Sequence, residues 1–291
     1  MRENPESRPE GTPASFTLRN GLELPAVGFG TYKAAEGDDT SVIGMAIEAG
    51  YRYFDTASYY NTEPALAEAI RRSGRPREDF QIASKLWKAD MGEKAGAAFQ
   101  RTLDALRTDY VDVYMIHWPL PTVDCADWRN LDLETWRTME ELHRRGKIRA
   151  LGVSNFLPHH LDNLIRHSSV VPEVAQLEFH PGHTQEAAVR YCQERHILVQ
   201  AWSPIGRGRV LGDPLVVSLA EKYGVTPAQV CLRFDLQKGV MPLPKASSLE
   251  RMRENRECLS FTLEQEDMWR LETMPPVGWS GEHPDRERVR L

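Results

Sequence analysis

Four ionisable side chains stand at or just beyond the ends of short apolar segments. Asp55 ends the second of eight such segments, Lys85 follows the third, His117 ends the fourth, and Tyr60 comes five residues after Asp55. The phenol of a tyrosine is a weak acid with a pKa of about 10. A neighbouring ammonium group lowers that pKa, and an aspartate would hold the ammonium charged and oriented. Together with a histidine that orients a carbonyl oxygen, the set predicts a proton donor aimed at a developing alkoxide.

These residues need a fold that brings the ends of neighbouring strands to one place. Apolar segments rich in β-branched or aromatic residues alternate with longer amphipathic segments. The predicted strands are 26–29, 51–55, 80–84, 111–117, 148–153, 174–178, 197–201 and 240–243. The predicted helices are 39–49, 63–72, 93–106, 132–145, 158–167, 185–195, 226–238 and 248–257. Eight strand–helix pairs at this density are typical of an eight-fold β/α (TIM) barrel, whose functional residues stand at the strands' C-terminal ends.

A doubly wound sheet is the structural alternative. It would usually carry Gly-x-Gly-x-x-Gly after the first strand, whereas this chain has Gly28-Phe29-Gly30-Thr31-Tyr32 without the third glycine. We therefore favour the barrel. Residues 16–18 and 22–24 around Asn20-Gly21 predict a β-hairpin with a type I′ turn that closes the bottom of the barrel. Extra late helices are expected at 213–223 and 263–272.

Domain organisation and environment follow from composition. The 291 residues carry 36 Lys and Arg against 42 Asp and Glu, a net charge of −6, which argues against nucleic-acid binding. No apolar run resembles a secretory signal or a membrane span, so a cytoplasmic protein without a membrane partner is the simplest interpretation. Residues 1–15 are expected to form a disordered leader, and residues 16–291 one domain.

Several stretches of the chain, in order and with plausible spacing, resemble the aldo-keto reductase family, and its bacterial members in particular. They are Gly28-Phe29-Gly30-Thr31, Phe54-Asp55-Thr56-Ala57-Ser58-Tyr59-Tyr60, Ser84-Lys85-Leu86-Trp87, Ile116-His117-Trp118-Pro119, Gly152-Val153-Ser154-Asn155-Phe156, Gln176-Leu177-Glu178-Phe179-His180-Pro181, Ala201-Trp202-Ser203-Pro204-Ile205-Gly206 and Leu243-Pro244-Lys245. The resemblance implies a barrel that reversibly reduces aldehydes or ketones with NADPH. Tyr60 would be the general acid, with Asp55, Lys85 and His117 as its partners.

The resemblance also implies a cofactor site. Ser154, Asn155 and Gln176 would hold the nicotinamide carboxamide, and Trp202 would stack on the nicotinamide ring. The remaining expected cofactor residues are Gly30, Thr31, Asp55, Ser203, Pro204, Ile205, Gly206, Lys245, Ser247, Arg251 and Asn255. Lys245 and Arg251 suit a ribose 2′-phosphate, because cations pair with a phosphate dianion, and they favour NADP(H) over NAD(H).

The chain departs from the family's usual pattern at several positions. Thr62 stands directly before Glu63 where asparagine is usual, and Trp202 replaces the more usual tyrosine. Ala246 replaces a serine that touches the 2′-phosphate in many members, which would soften the preference for NADP(H). Ala175 replaces a common asparagine. Arg207 and Arg209 stand beside the expected pyrophosphate path, either as phosphate partners or as part of a solvated loop.

The substrate site is expected to include His117, Trp87, Trp118 and Trp279, with a small-molecule carbonyl compound as the partner and a monomer as the working form. The tail 275–291 either folds over the pocket or is loose. His180 and His183, and likewise Cys192 and His196, have metal-like spacing but lack a third ligand in the sequence, so no metal is expected.

Two other functions stay open. A lyase or aldolase barrel would use Lys85 as a Schiff-base nucleophile, although pairing with Asp55 would keep that amine protonated. A regulatory subunit would bind NADPH without turning it over.

Overall fold

The computed structural model describes residues 15–35 and 39–286 of the chain. Its strands are β1 (Ser15–Thr17), β2 (Glu23–Pro25), β3 (Phe29–Gly30), β4 (Tyr53–Asp55), β5 (Gln81–Leu86), β6 (Val111–Ile116), β7 (Ile148–Ser154), β8 (Val174–Glu178), β9 (Leu198–Trp202) and β10 (Val240–Pro242). Its helices are α1 (Ser41–Glu48), α2 (Glu63–Arg72), α3 (Ala95–Leu106), α4 (Trp128–Arg144), α5 (Pro158–His167), α6 (Glu186–Gln193), α7 (Pro214–Tyr223), α8 (Pro227–Gln237), α9 (Leu249–Arg256) and α10 (Gln265–Glu272).

Strands β3 to β10 lie side by side in sequence order, and each pair is parallel. The first and last of them approach each other as well, because Gly28 N and Gly30 N donate to the carbonyls of Pro242 and Pro244, each at 3.1 Å. Only glycine allows this approach: a Cβ on Gly28 would lie 2.6 Å from a side-chain carbon of Leu243. The eight-fold β/α barrel predicted from the sequence is confirmed.

Successive side chains along each strand point alternately into and out of the barrel, which produces two apolar layers. One set of side chains, which includes Tyr53, Ala83 and Val113, fills the inside of the barrel. The alternate set, which includes Phe54 and Ile82, packs outward beneath the helices. The inside positions nearer the C-terminal ends of the strands carry polar residues instead, and they form the site described below.

The predicted hairpin is present, and its Leu18 joins the apolar cluster inside the barrel. Its turn is not of type I′, which requires positive φ at both central residues. Leu18 N donates to Leu22 O, so the loop has three residues, and of these the left-handed one is Gly21 at φ 84°. Strand β1 already includes Ser15, which the sequence analysis assigned to the leader, and residues 1–14 lie outside the described residues.

Other element boundaries also differ from the prediction. Lys85 lies within β5 rather than after it, and α4 begins at Trp128 rather than at residue 132. The indole of Trp128 packs edge-on against the ring of His160, with 4.9 Å between centroids, and this contact explains the earlier start. The two extra late helices are confirmed as α7 and α10. No helix within 15–35 or 39–286 has the length and apolar character needed to cross a membrane.

Candidate active site

The centre of the candidate site is a buried ion pair between neighbouring strands. Asp55 ends β4, Lys85 lies near the end of β5, and both point into the barrel. Lys85 Nζ donates to Asp55 Oδ1 and Oδ2 at 2.8 and 2.7 Å and to Thr56 O at 2.9 Å. The lysine side chain has no exposed surface. These bonds hold the ammonium group in one place inside the barrel, near the C-terminal ends of the strands.

Tyr60 lies on a short 3-10 turn, Ser58–Tyr60, between β4 and α2. The turn ends at Asn61, whose φ of 56° is left-handed and reverses the chain before the helix. Lys85 Nζ is 3.4 Å from the Tyr60 hydroxyl oxygen, towards which it donates. The Tyr60 ring stands edge-on to His117, with 5.5 Å between ring centroids. The structure therefore brings together all four residues that the sequence singled out.

The direction of the Tyr60 pKa differs from the sequence-based expectation. Burial raises the pKa of Tyr60 well above 10, and the negative charge of Asp55 adds to that rise. The expected lowering by Lys85 does not dominate, because Asp55 neutralises the ammonium charge at 2.7 Å. Burial likewise lowers the pKa of Lys85, although Asp55 opposes that shift. Tyr60 is consequently a neutral phenol that keeps its proton at neutral pH.

A chain of side-chain hydrogen bonds continues from Asp55 into the barrel. Gln176 Nε2 donates to Asp55 Oδ1 at 2.8 Å and to Gln200 Oε1 at 3.3 Å. Gln200 Nε2 in turn donates to the Tyr53 hydroxyl oxygen at 2.8 Å. The sequence analysis missed Gln200, although its position two residues before Trp202 in β9 marks it as inward-facing.

The expected nicotinamide residues form a second connected group. Trp202 Nε1 donates to Asn155 Oδ1 at 2.8 Å, and Asn155 Nδ2 donates to His117 O at 3.0 Å and to Ser154 Oγ at 3.2 Å. Asn155 has a left-handed φ of 64° immediately after β7. The indole N–H of Trp202 thus fixes the Asn155 amide, a bond that depends on tryptophan rather than tyrosine at this position.

The expected phosphate residues lie further out, on the loop after β10 and on α9. Lys245 Nζ donates to Ser247 Oγ at 2.8 Å, and Ser248 caps the helix by accepting from Arg251 N. Arg251 and Ser247 are exposed, while Asn255 is buried. An exposed arginine in the first turn of a helix, with a half-buried lysine in the loop before it, matches the chemistry of a phosphate group. The methyl group of Ala246 packs into the apolar core and offers no donor.

The loop after β9 holds the other four expected phosphate residues. Ser203 and Gly206 both have left-handed φ values, 52° and 55°. A Cβ on Gly206 would lie 2.5 Å from Val210, so the bend there needs glycine. Pro204 is buried and Ile205 half-buried between them.

Two expected cofactor residues, Gly30 and Thr31, also have partners within the barrel. Gly30 lies against β10, where a Cβ would be 3.0 Å from Leu243 O. Thr31 is fully buried, and its hydroxyl is 2.9 Å from both Asp55 O and the Thr62 hydroxyl. Both residues therefore contribute to barrel closure and internal bonding, and their role towards a cofactor stays a prediction.

The described part of the C-terminal tail, residues 275–286, folds over the mouth of the barrel, and the two arginines after β9 contact it there. Arg209 Nη1 donates to Trp279 O at 2.7 Å, and Arg207 pairs with Glu282 at 3.4 Å. The buried carboxylate of Glu178 accepts from Ser280 N at 2.8 Å and from Ser280 Oγ at 2.6 Å. Both arginines are exposed and each has a partner in the tail, so the two interpretations, phosphate partners or a solvated loop, stay open.

The expected substrate residues separate into two places. Trp87 stacks on Tyr59 with 3.9 Å between ring centroids and stands edge-on to His117 at 5.3 Å. Trp118 stacks on His117 from another side. Trp279 lies elsewhere, in a cavity of about 290 Å³ beneath the tail that it lines together with Trp202.

The structure also gathers His159, His160 and Asp285, which have the composition of a metal site. The Leu157 N–H donates to His160 Nδ1 at 3.1 Å, so the ring's own hydrogen is on Nε2. That nitrogen lies 2.9 Å from Asp285 Oδ1. Burial lowers the pKa of His160 to about 3, so the ring is neutral. The contact brings Asp285 of the tail against the first turn of α5.

Comparison with known proteins gives a consistent result. The model of the Aldo/keto reductase family matches residues 26–274. The uncharacterized oxidoreductase YtbE of Bacillus subtilis is 40% identical, over 94% of this chain and 96% of that protein. Glyoxal reductase of the same organism is also 40% identical, over 92% and 95%. A crystal structure of an aldo/keto reductase from Brucella melitensis, 36% identical, superposes with a TM-score of 0.83 over 90% of this chain and 98% of its own.

Proposed function

This chain belongs to the aldo-keto reductase family, and we propose that it reduces small aldehydes and ketones with NADPH, with Tyr60 as the proton donor. Membership makes it an oxidoreductase that uses a nicotinamide cofactor and acts on carbonyl groups. The identity of the donor and the choice of NADPH are our proposals. The observation that carries the assignment of the proton donor is the Tyr60 hydroxyl, held 3.4 Å from an ammonium group that is itself bonded to Asp55.

The direction of the hydrogen bonds suits proton donation by Tyr60. Lys85 donates to the phenol oxygen, so the Tyr60 hydrogen is left to point at a substrate oxygen. When that hydrogen moves to the developing alkoxide, the phenolate gains a charge-assisted bond from Lys85. Asp55 and Thr56 O keep Nζ in position throughout, and His117 stands beside Tyr60 to orient the carbonyl. In alcohol oxidation the proton moves in the opposite direction, from the alcohol oxygen to the Tyr60 phenolate.

The amide and indole groups of the site fit a nicotinamide. When bound, NADPH supplies a hydride to the carbonyl carbon. Trp202 offers a half-buried ring face, and its indole N–H orients the amide of Asn155. Gln176 completes the set from the neighbouring strand, with its Nε2 already bonded to Asp55. A carboxamide has one oxygen that accepts and one NH₂ group that donates two hydrogen bonds. Polar side chains of fixed orientation can therefore recognise it.

The preference for NADPH rests on the outer cations. Lys245 and Arg251 flank the start of α9; Arg251 is exposed, and Lys245 is half-buried and donates to Ser247. A 2′-phosphate would gain charge-assisted bonds there that the 2′-hydroxyl of NADH would not. The alanine at position 246 supplies no further bond, so the preference is carried by the two cations.

Small, planar carbonyl compounds are the proposed substrates. Tyr59, Trp87 and Trp118 surround His117 with aromatic surface, which favours flat and weakly hydrated molecules over heavily hydroxylated ones. One relative that is 40% identical is named glyoxal reductase. We therefore place α-dicarbonyl compounds and small aldehydes first among the substrates to examine.

The Schiff-base alternative is less compatible with the geometry. Burial lowers the pKa of Lys85, which would favour a nucleophilic amine. However, the side chain is fully buried, and Nζ donates to three oxygen atoms of Asp55 and Thr56. A substrate carbonyl could reach this nitrogen only by displacing the ion pair.

The test of the proposal is an NADPH-oxidation assay on a panel of α-dicarbonyls, aliphatic aldehydes, aromatic aldehydes and ketones, repeated with NADH. We expect turnover on several members and a lower KM for NADPH than for NADH. Tight NADPH binding without turnover across the panel would instead indicate a regulatory protein. Borohydride trapping of a carbonyl substrate on Lys85 would support the lyase alternative.

A further inference from the structure

Three buried threonine hydroxyls form a chain directly beneath the Tyr60 turn. Thr62 Oγ1 lies 2.9 Å from Thr31 Oγ1 and 2.9 Å from Thr56 Oγ1. Thr31 and Thr56 have no exposed surface, and Thr62 is 1% exposed. The chain includes the position before Glu63 at which this sequence departs from the asparagine usual in its family.

The direction of the chain follows from its inner end. Thr31 Oγ1 donates its one hydrogen to the carbonyl of Asp55 at 2.9 Å. It must therefore accept from Thr62, and Thr62 must accept from Thr56, because each hydroxyl has a single hydrogen. The order Thr56 to Thr62 to Thr31 to Asp55 O is thus fixed, and Thr62 is the member with another threonine hydroxyl on each side.

The chain joins the elements that must meet for proton transfer. Thr31 directly follows β3, Thr56 directly follows β4, and Thr62 directly precedes α2. The bond between Thr56 and Thr62 therefore closes the segment 57–61, which contains Tyr60. Thr56 also presents its carbonyl to Lys85 Nζ at 2.9 Å. Thr56 and Thr62 thus fix the two ends of the segment that contains Tyr60, and Thr56 also supplies one of the oxygen atoms that Lys85 Nζ contacts.

A second bond anchors the same segment to the next strand. Ser84, which directly precedes Lys85, donates from Oγ to Glu63 Oε1 at 2.6 Å. Glu63 directly follows Thr62 and is 5% exposed. Residues 62 and 63 consequently tie the end of the Tyr60 turn to the ends of β3, β4 and β5 together.

We propose that Thr62 is a positioning residue for the reaction: its hydroxyl, between those of Thr56 and Thr31, sets the distance between the Tyr60 hydroxyl and Lys85 Nζ. The proposal rests on the proposed role of Tyr60. Thr62 touches neither substrate nor the reacting atoms, so its effect is exerted through the position of Tyr60. A displacement of about 1 Å at a reacting group can cost roughly a hundredfold in rate.

The test compares Thr62→Val, which keeps the shape and removes the hydroxyl, with Thr62→Ser, which keeps the hydroxyl and removes the methyl. For Thr62→Val we expect kcat to fall at least about tenfold, while the Kd for NADPH and the KM for the carbonyl compound change less than about threefold. Thr62→Ser should recover most of the lost kcat. A residue with a purely structural role would not lower kcat while leaving the Kd for NADPH and the KM nearly unchanged.

Thr135→Val is the matched control. Thr135 is equally buried, and its hydroxyl accepts from Gly92 N at 2.8 Å and donates to Leu131 O at 2.7 Å, so this variant also loses two hydrogen bonds. It should lower the melting temperature about as much as Thr62→Val does and leave kcat unchanged. If Thr62→Val does not fold, Thr56→Val breaks the chain at its outer end and should also lower kcat.

Tyr60→Phe assayed in parallel separates the two proposals. If Tyr60→Phe loses turnover while folded Thr62→Val and Thr56→Val keep kcat within about twofold of the parent, the positioning role is wrong and the proposed function stands. If Tyr60→Phe keeps turnover, the proposed function fails first. If Thr62→Ser is as slow as Thr62→Val, the methyl rather than the hydroxyl matters, and the proposal is overturned.

Discussion

The inner and outer ends of the proposed cofactor and substrate site are built in different ways. At the inner end, Asp55, Lys85 and Gln176 lie on barrel strands, are buried, and are bonded to one another. At the outer end, Arg207 and Arg251 lie on a loop and a helix surface, and both are exposed. The inner groups already have their partners within the chain, whereas one outer cation, Arg207, is paired with the tail residue Glu282.

This difference separates two tasks. Groups fixed by a sheet need no reorganisation when charge develops, so they suit stabilisation of the transition state. Exposed cations can exchange one anion for another at small cost, so they suit binding and release. Substitutions at the inner end should therefore change kcat, and those at the outer end should change cofactor affinity.

The largest effect is expected from Lys85→Met. The loss of the donor to Tyr60 should lower kcat by about a hundredfold or more. The substitution also leaves the buried Asp55 carboxylate without its cation, which should cost about 3–5 kcal/mol in the free energy of unfolding. Urea unfolding and steady-state rates measure both effects.

The double variant Asp55→Asn with Lys85→Met keeps this prediction testable. It removes both charges, so most of the stability should return while turnover does not. Recovery of turnover in the double variant would show that Asp55 and Lys85 contribute to stability but not to catalysis.

The pH dependence should be the next largest effect. Carbonyl reduction uses protonated Tyr60, and because burial raises its pKa well above 10, this group should cause no loss of reduction between pH 7 and pH 9. Alcohol oxidation uses the deprotonated form, so its rate should rise by up to about tenfold per pH unit over the same window. Rate profiles in both directions provide the measurement.

Glu63 needs to be separated from Tyr60 in that experiment. Burial raises the pKa of Glu63 to about 7, so this carboxyl group titrates in the same window. Glu63→Gln keeps an acceptor for Ser84 and removes the titration. A reduction rate that falls with a midpoint near pH 8 in this variant too would mean that Lys85 lowers the Tyr60 pKa after all.

A smaller effect is expected at the outer end from Arg251→Ala. Loss of a charge-assisted bond to the 2′-phosphate should raise the KM for NADPH by about tenfold to a hundredfold and affect NADH much less. Arg253→Ala is the control, because Arg253 is an exposed arginine of the same helix that pairs with Glu48. Equal losses for NADPH and NADH would contradict a 2′-phosphate contact.

The smallest effect is expected from Glu282→Gln in the tail. Removal of the carboxylate releases Arg207 for a phosphate group, so the KM for NADPH should fall, by no more than about fivefold for an exposed ion pair. Glu266→Gln, at an exposed position on α10, should have no effect. A rise in KM would mean that the Arg207–Glu282 pair helps to form the cofactor site.

The sequence predicted the barrel and the meeting of the four central residues because both depend on local patterns. Asp55, Lys85 and His117 occupy equivalent ends of consecutive strands, and parallel strands bring such ends together. The type I′ turn was wrong because Asn-Gly also fits a three-residue loop with left-handed glycine. The pKa of Tyr60 was wrong in direction because the depth of burial is a property of the folded chain.

Contacts between segments that are far apart in the sequence could not be predicted from it. Gln200 reaches Tyr53 across 147 positions, and Ser280 reaches Glu178 across 102. Thr62 was noticed only as a departure from the family pattern, since its partner Thr31 becomes a neighbour when β3 and β4 pair. The sequence predicted that Arg207 and Arg209 lie beside the pyrophosphate path, but it did not predict their contacts with Glu282 and Trp279 in the tail.

The most direct test of the central claim is Tyr60→Phe, with kcat and the Kd for NADPH measured on the same preparation. Tyr59→Phe is the matched control, because it removes a neighbouring phenol hydroxyl while keeping the ring that stacks on Trp87. We predict that Tyr60→Phe loses turnover by at least about a hundredfold, binds NADPH within about threefold of the parent, and differs from Tyr59→Phe in kcat alone. Turnover that survives in Tyr60→Phe would contradict this prediction.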